Sequence, residues 1–151
     1  MTDTAKWYYK GVEHILAGDA KWPASSASIR MALFTTFAPT QSTDEYYTAG
    51  SLPAGCTQVS GGGYTQGGTT LTSVAFPAVY STTNIKLASA DATWTGAMTF
   101  TGVMGAAIYY AGTSNFLLGY IWWATTGPKA AQGGNFTVPC PTGGWFENAI
   151  T

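Results

Sequence analysis

Met98-Thr99-Phe100-Thr101-Gly102-Val103-Met104-Gly105-Ala106-Ala107-Ile108-Tyr109-Tyr110 is followed, after Ala111-Gly112-Thr113-Ser114-Asn115, by Phe116-Leu117-Leu118-Gly119-Tyr120-Ile121-Trp122-Trp123. The first run alternates large and small or polar residues. That two-residue period predicts one long strand, with Met98, Phe100, Met104, Ile108 and Tyr110 on one face beside Gly102 and Ala106. The second run is apolar on both faces. It reads as a central strand, or as one covered by another subunit. The Gly-, Ser- and Asn-rich segment between them is a turn.

The same period extends outward. Ile29, Met31 and Leu33 alternate with Arg30, Ala32 and Phe34. Thr70 to Phe76 is Thr-rich and alternating. Val79-Tyr80 and Ile85-Lys86-Leu87 flank Ser81-Thr82-Thr83-Asn84, a hairpin loop by composition. Gly127-Pro128 and Gly133-Gly134 are read as bounding a loop, and Phe136-Thr137-Val138 and Trp145 to Ile150 as the last strands. Seven or eight short strands separated by glycine turns predict an antiparallel β-sandwich, jelly-roll-like or barrel-like. Strand–helix alternation is missing after residue 20, which argues against a doubly wound α/β fold.

Only the N-terminus reads as helical. Ala5, Tyr8 or Tyr9, Val12, Ile15 and Leu16 recur at three- and four-residue spacing, predicting a helix over residues 3–18. Thr2, Asp3 and Thr4 are candidate caps, Gly18 a left-handed stop, and Trp22-Pro23 a break. Residues 1–22 are expected to form a helix or arm able to reach a neighbouring subunit, and residues 23–151 the sandwich. Between the first strand and the Thr-rich half, residues 38–69 form a long irregular stretch, a length that usually serves a purpose.

Composition restricts the function classes. The chain has 151 residues, a net charge of −1, 24 threonines and 19 glycines, and only 9% charged residues. Soluble proteins carry roughly 25%. From Ala92 to Phe146 the one charged side chain is Lys129. The wet face of the sheet there must be covered by Thr and Ser, or by another protein. Six scattered basic residues build no stripe for nucleic acid. No apolar run is long enough for a membrane helix, and no signal-peptide pattern opens the chain. Cys56 and Cys140 form no CxxC motif and are expected to be reduced, partly buried thiols.

The catalytic inventory is short. His14 is the single histidine and falls inside the expected helix, where a solvent-facing or core-satisfied role outweighs a place in a triad or a metal site. Asp44-Glu45 are adjacent acids in a loop, read as solvated. Asp91 reads as a local backbone cap. Ser60 to Gly68 superficially resembles a phosphate cradle but lacks the Lys-Ser/Thr ending and a following helix. Asn135-Phe136-Thr137 fits a glycosylation triplet by spacing alone. No catalytic, metal or cofactor residue is assigned. The remaining resource is aromatic: Trp7, Tyr8, Tyr9, Tyr109, Trp122, Trp123, Trp145 and Phe146 are candidate interface residues. In a strand, one member of each adjacent pair can face out, toward a sugar or a protein.

Several segments together resemble a family of small structural proteins of tailed bacteriophages. They are Leu16-Ala17-Gly18, Trp22-Pro23, Ser28 to Thr35, Asp44-Glu45-Tyr46-Tyr47, Val59-Ser60-Gly61-Gly62-Gly63-Tyr64-Thr65-Gln66-Gly67-Gly68-Thr69-Thr70-Leu71, Ser89 to Trp94, Ala106 to Tyr110 and Leu117 to Ile121. The Val59–Leu71 segment is the most specific. The resemblance implies a non-enzymatic virion component, made in the host bacterial cytoplasm. Its partners would be copies of itself and other virion proteins, the major capsid protein first, with no nucleic acid, membrane or cofactor. A capsid decoration or cement protein is the leading expectation. The alternatives are a tail, neck or fibre component, or a carbohydrate-binding attachment module.

Overall fold

The computed structural model describes residues 4–21, 29–48, 55–75, 84–141 and 144–149. Its centre is β2 (Ile29–Thr36), which takes β7 (Gly105–Tyr110) on one side in antiparallel register, Ile29 opposite Tyr110 through Phe34 opposite Gly105. β8 (Phe116–Trp122) continues the sheet beyond β7, and β1 (Thr4–Trp7) closes that edge. The other side of β2 is shared by two short strands. β3 (Thr57–Gln58) pairs near its end, and β4 (Thr69–Thr70) pairs near its start. Two ribbons complete the fold: β5 (Asn84–Leu87) with β10 (Phe146–Ala149), and β6 (Ala92–Val103) with β9 (Lys129–Val138). The protein is mainly β and antiparallel, consistent with a sandwich carrying a single helix.

Alternation in β2 becomes two cores. Ile29, Met31 and Leu33 are fully buried against the ribbons, with Trp94, Phe100, Phe136, Trp145 and Phe146. Ala32 and Phe34 point to the opposite face and are also buried, with Tyr8, Phe37, Tyr47, Tyr109, Leu117 and Tyr120. β8 is therefore apolar on both faces because its own chain covers both. It is an inner strand between β1 and β7.

The expected single strand from Met98 to Tyr110 is two strands in two sheets. β6 ends at Val103, the chain turns at Met104, and β7 begins at Gly105. Met98, Phe100, Ala106, Ile108 and Tyr110 still meet in one core because the turn carries the chain around it, while Met104 packs in the opposite one. The expected loop at Gly133-Gly134 instead lies inside β9. Three register breaks interrupt the β6–β9 ladder, and a glycine at positive φ occupies each: Gly96, Gly102 and Gly133. Asn135 Oδ1 accepts the Gly96 amide (2.9 Å), so that side chain supports a bulge. Bulges bend and twist the strand that carries them, so this ribbon is strongly curled.

The N-terminus also differs from the expected continuous helix. Residues 4–7 are a strand, and α1 spans Tyr9–Ala17. Extended pairing wins over local helix propensity here because Trp7 and Tyr8 are carried into the two cores, 7% and 1% exposed. The residue before the helix, Tyr8, makes no side-chain cap. Its amide donates instead to the Leu118 carbonyl (3.0 Å). Gly18 does end the helix in the left-handed conformation, φ 83°. Residues 4–20 pack against the large sheet, with β1 paired to β8 and Trp7, Tyr8 and Ala20 buried. The candidate caps Thr2 and Asp3, the Trp22-Pro23 break, and the Val79 to Thr83 hairpin segment fall outside the described residues.

The long stretch after β2 has two structural tasks. Residues 37–48 lie over the outer face of the large sheet, inserting Phe37 and Tyr47; Tyr47 stacks on Tyr109 with centroids 4.0 Å apart. The glycine-rich loop then straps the sheets together. Tyr64 is buried between Trp94 and Phe100, and its hydroxyl oxygen accepts the Leu33 amide (2.9 Å) and the Gln58 side-chain amide (3.0 Å). Tyr109 donates to the Gly67 carbonyl (2.7 Å), and Arg30 to the Gly68 carbonyl (2.8 Å). The Gly62 carbonyl accepts the Thr99 amide (2.8 Å). Gly62 and Gly68 have positive φ and press against the carbonyls of Thr99 and Met31, where a Cβ would collide. Positive φ at Gly61, Gly62, Gly63, Gly67 and Gly68, together with close packing at Gly62 and Gly68, accounts for this segment's glycines with no phosphate cradle required.

Candidate interaction surface

The eight aromatic candidates separate by burial. Trp7, Tyr8, Tyr109, Trp123, Trp145 and Phe146 are all under 9% exposed and belong to the cores. Their bulk is spent inside the chain, so they have little surface to offer a partner. Trp145 also donates its indole N–H to Ser89 Oγ (2.8 Å). Trp122 is half-buried with its indole nitrogen enclosed. Tyr9 alone is clearly exposed, at 58%. Trp7 and Tyr8, Tyr109 and Tyr110, and Trp122 and Trp123 divide between the two cores, whereas Trp145 and Phe146 share one. Adjacency in sequence did not show that the chain itself covers both faces of the large sheet.

The open surface lies on the β6–β9 ribbon. Its inner positions, Trp94, Met98, Phe100, Val103, Ala131, Phe136 and Val138, are buried. Its outer positions include Thr95, Thr99 and Thr101 on β6 and Gln132, Asn135 and Thr137 on β9, all exposed, with Thr93 half-buried. Thr93 and Thr137 are register partners, and their hydroxyls lie 3.1 Å apart. Apart from Lys129 at its start, the ribbon carries no charge. The charge deficit of residues 92–146 therefore has a location: a hydroxyl- and amide-covered face. Covering such a face removes no ions from water, which is the costly part of burying a polar surface.

A second exposed region surrounds α1. Leu16 is 83% and Tyr46 48% exposed, and Tyr46 lies against His14 of the helix. Sequence reading named Tyr9 as an interface candidate but put Leu16 on the helix's apolar stripe and gave Tyr46 no role. At the region's centre is His14, stacked on Phe116 with centroids 3.7 Å apart. Its Nδ1 faces Asp19 Oδ2 (3.1 Å), and its Nε2 faces Glu45 Oε1 (2.8 Å). A nucleophilic triad needs one ring nitrogen turned to a hydroxyl or thiol. Here both face carboxylates, so the imidazole acts as a pin between helix and loop. The loop is also held by backbone bonds, Leu117 N–H to the Glu45 carbonyl (2.9 Å) and Tyr47 N–H to the Asn115 carbonyl (2.8 Å). Asp44 accepts the Thr40 amide (2.6 Å) as a turn residue.

The hydrogen bond from His14 holds the Glu45 carboxyl below its ordinary value of 4.5. A lowered folded value means that stability from this contact is full above about pH 4.5 and is lost as pH falls through the folded value. Glu45→Gln should therefore lower the unfolding free energy at neutral pH by under about 1 kcal/mol, as for a partly exposed pair. The difference between variant and parent should shrink as pH falls below 4.5. A gap that persists unchanged in acid would contradict this role.

Other polar groups are structural. Asp91 accepts the Cys140 amide (2.9 Å), tying two distant segments where a local cap was expected. Cys56 and Cys140 are half-buried free thiols, and burial pushes both above the usual thiol range. Among the described residues, no group of three or more His, Cys, Asp and Glu is placed to hold a metal ion. No helix among them is long and apolar enough to cross a membrane. Comparison with known proteins returns no matching family model, no similar curated protein and no similar solved structure.

Proposed function

We propose that this chain is a non-enzymatic structural subunit of a tailed-bacteriophage particle, a decoration protein that docks on the head shell through the outer face of the β6–β9 ribbon. The observation that carries the reading is the uncharged, threonine-covered face of that ribbon in a chain with so few charges elsewhere. A free monomer normally keeps both signs of charge spread over its surface. A subunit that spends its life against neighbours does not need them there, and charged residues are depleted from the centres of protein interfaces. The sequence resemblance supports the same reading. The Val59–Leu71 segment that carries it most specifically forms the strap between the sheets, where a Cβ at Gly62 or Gly68 would collide with backbone.

The test is to place charge on the face. Thr95→Glu and Thr99→Glu are exposed positions, so stability should stay within about 0.5 kcal/mol of the parent. Incorporation of the double variant into particles, measured by band intensity in purified virions, should fall at least tenfold. Normal incorporation would show that this face is not the docking surface. A tail or neck component would appear instead as a chain confined to one vertex.

A further inference from the structure

The sandwich is open along one side. A cleft of about 290 Å³ lies there, bordered by Ala5 of β1, Trp123 after β8, Phe136 and Val138 of β9, and Trp145. Lys129, at the other end of β9, also borders it. The walls are mainly apolar. The volume is just below the range of about 300–1,000 Å³ typical for whole small ligands, and suits one or two inserted side chains better.

Both strands flanking the cleft are sheet edges. Among the described residues β1 pairs with β8 alone and β9 with β6 alone, and neither makes another backbone hydrogen bond. An unpaired edge is a row of N–H and C=O groups that accepts another strand, and proteins usually guard it with charge or proline. β9 contains no proline, and its one charge is Lys129 at its first residue. That ammonium donates to Thr126 Oγ1 (2.8 Å) and has no carboxylate partner among the described residues.

We infer that this cleft receives an extended segment of a neighbouring protein subunit. The segment adds as a strand along the β9 edge, inserts a large apolar side chain between the sheets, and presents a carboxylate to Lys129. Each element of the occupant answers one feature of the site: the backbone edge asks for a strand, the apolar walls for a side chain, and the lone cation for an anion. Strand addition of this kind draws affinity from main-chain bonds and specificity from the pocket. The inference rests on the reading of the chain as an assembly subunit only for the source of the strand.

The probe is a capped, strand-forming pentapeptide with a central phenylalanine followed by aspartate, titrated into the full chain while the indole N–H signals of Trp123 and Trp145 are followed by NMR. Saturable shifts at those two indoles are expected. A peptide with lysine in place of the aspartate should bind about fivefold more weakly, and Lys129→Glu should invert that preference. Ala5→Phe, at an exposed position, should fill the cleft and abolish binding. Absence of shifts at these indoles, equal affinity for the two peptides, or equally tight binding of free phenylpropionate would overturn the inference. Peptide binding by a chain missing from particles would sink only the virion reading. A particle-bound chain blind to the peptide would sink only this one.

Discussion

Gly68→Ala is expected to lower the stability of the domain by about 3 kcal/mol or more, from two causes at one atom. The residue sits at φ +71°, where an alanine is strained by roughly 1–3 kcal/mol. The added methyl also runs into the Met31 carbonyl, and that neighbour cannot move because β2 is paired on both sides. Overpacking of this kind costs about 1–3 kcal/mol more. For a domain of this size the melting temperature should fall by about 10 °C. Chemical denaturation of the purified variant checks it. A change under about 1 kcal/mol would mean that the glycine-rich segment is not the tight strap between sheets described above.

Trp145→Ala should be comparably severe, at about 3–5 kcal/mol. Trp145 is 1% exposed, near the ring pair Trp7–Phe146 (centroids 5.2 Å), and its indole N–H donates to Ser89. The substitution opens a cavity where β10 meets the large sheet and strands the Ser89 hydroxyl without that donor. Tyr9→Ala, at an exposed position, should stay within about 0.5 kcal/mol. The contrast separates core aromatics from surface ones. If Trp145→Ala folds with parental stability, the burial of the C-terminal strand is wrong. Loss of particle incorporation by this variant would report unfolding and carry no information about an interface.

The class of the fold was legible because period-two patterning survives even where both sheet faces are buried. Ile29, Met31 and Leu33 against Ala32 and Phe34 separated cleanly into two cores. The break at Met104 was not legible, since a strand that bends from one sheet to another keeps the same alternation across the bend. The first strand was hidden for a related reason. Ala5, Tyr8 and Val12 satisfy a helical period by accident, while tertiary pairing with β8 decides the local conformation. The His14–Glu45 contact spans 31 residues and needs the fold to exist before it can be seen. The uncharged face could be placed in residues 92–146 from charge alone. Which positions form it required knowing where Gly96, Gly102 and Gly133 shift the register.

The most direct measurement of the central claim is a density map of the intact particle in which this chain is located. The account predicts many copies distributed over the head shell, each with the outer face of the β6–β9 ribbon, Thr95, Thr99 and Thr101 included, against a neighbouring subunit. A particle that lacks the chain, or copies whose ribbon face points into solvent while other surfaces make every contact, would contradict it.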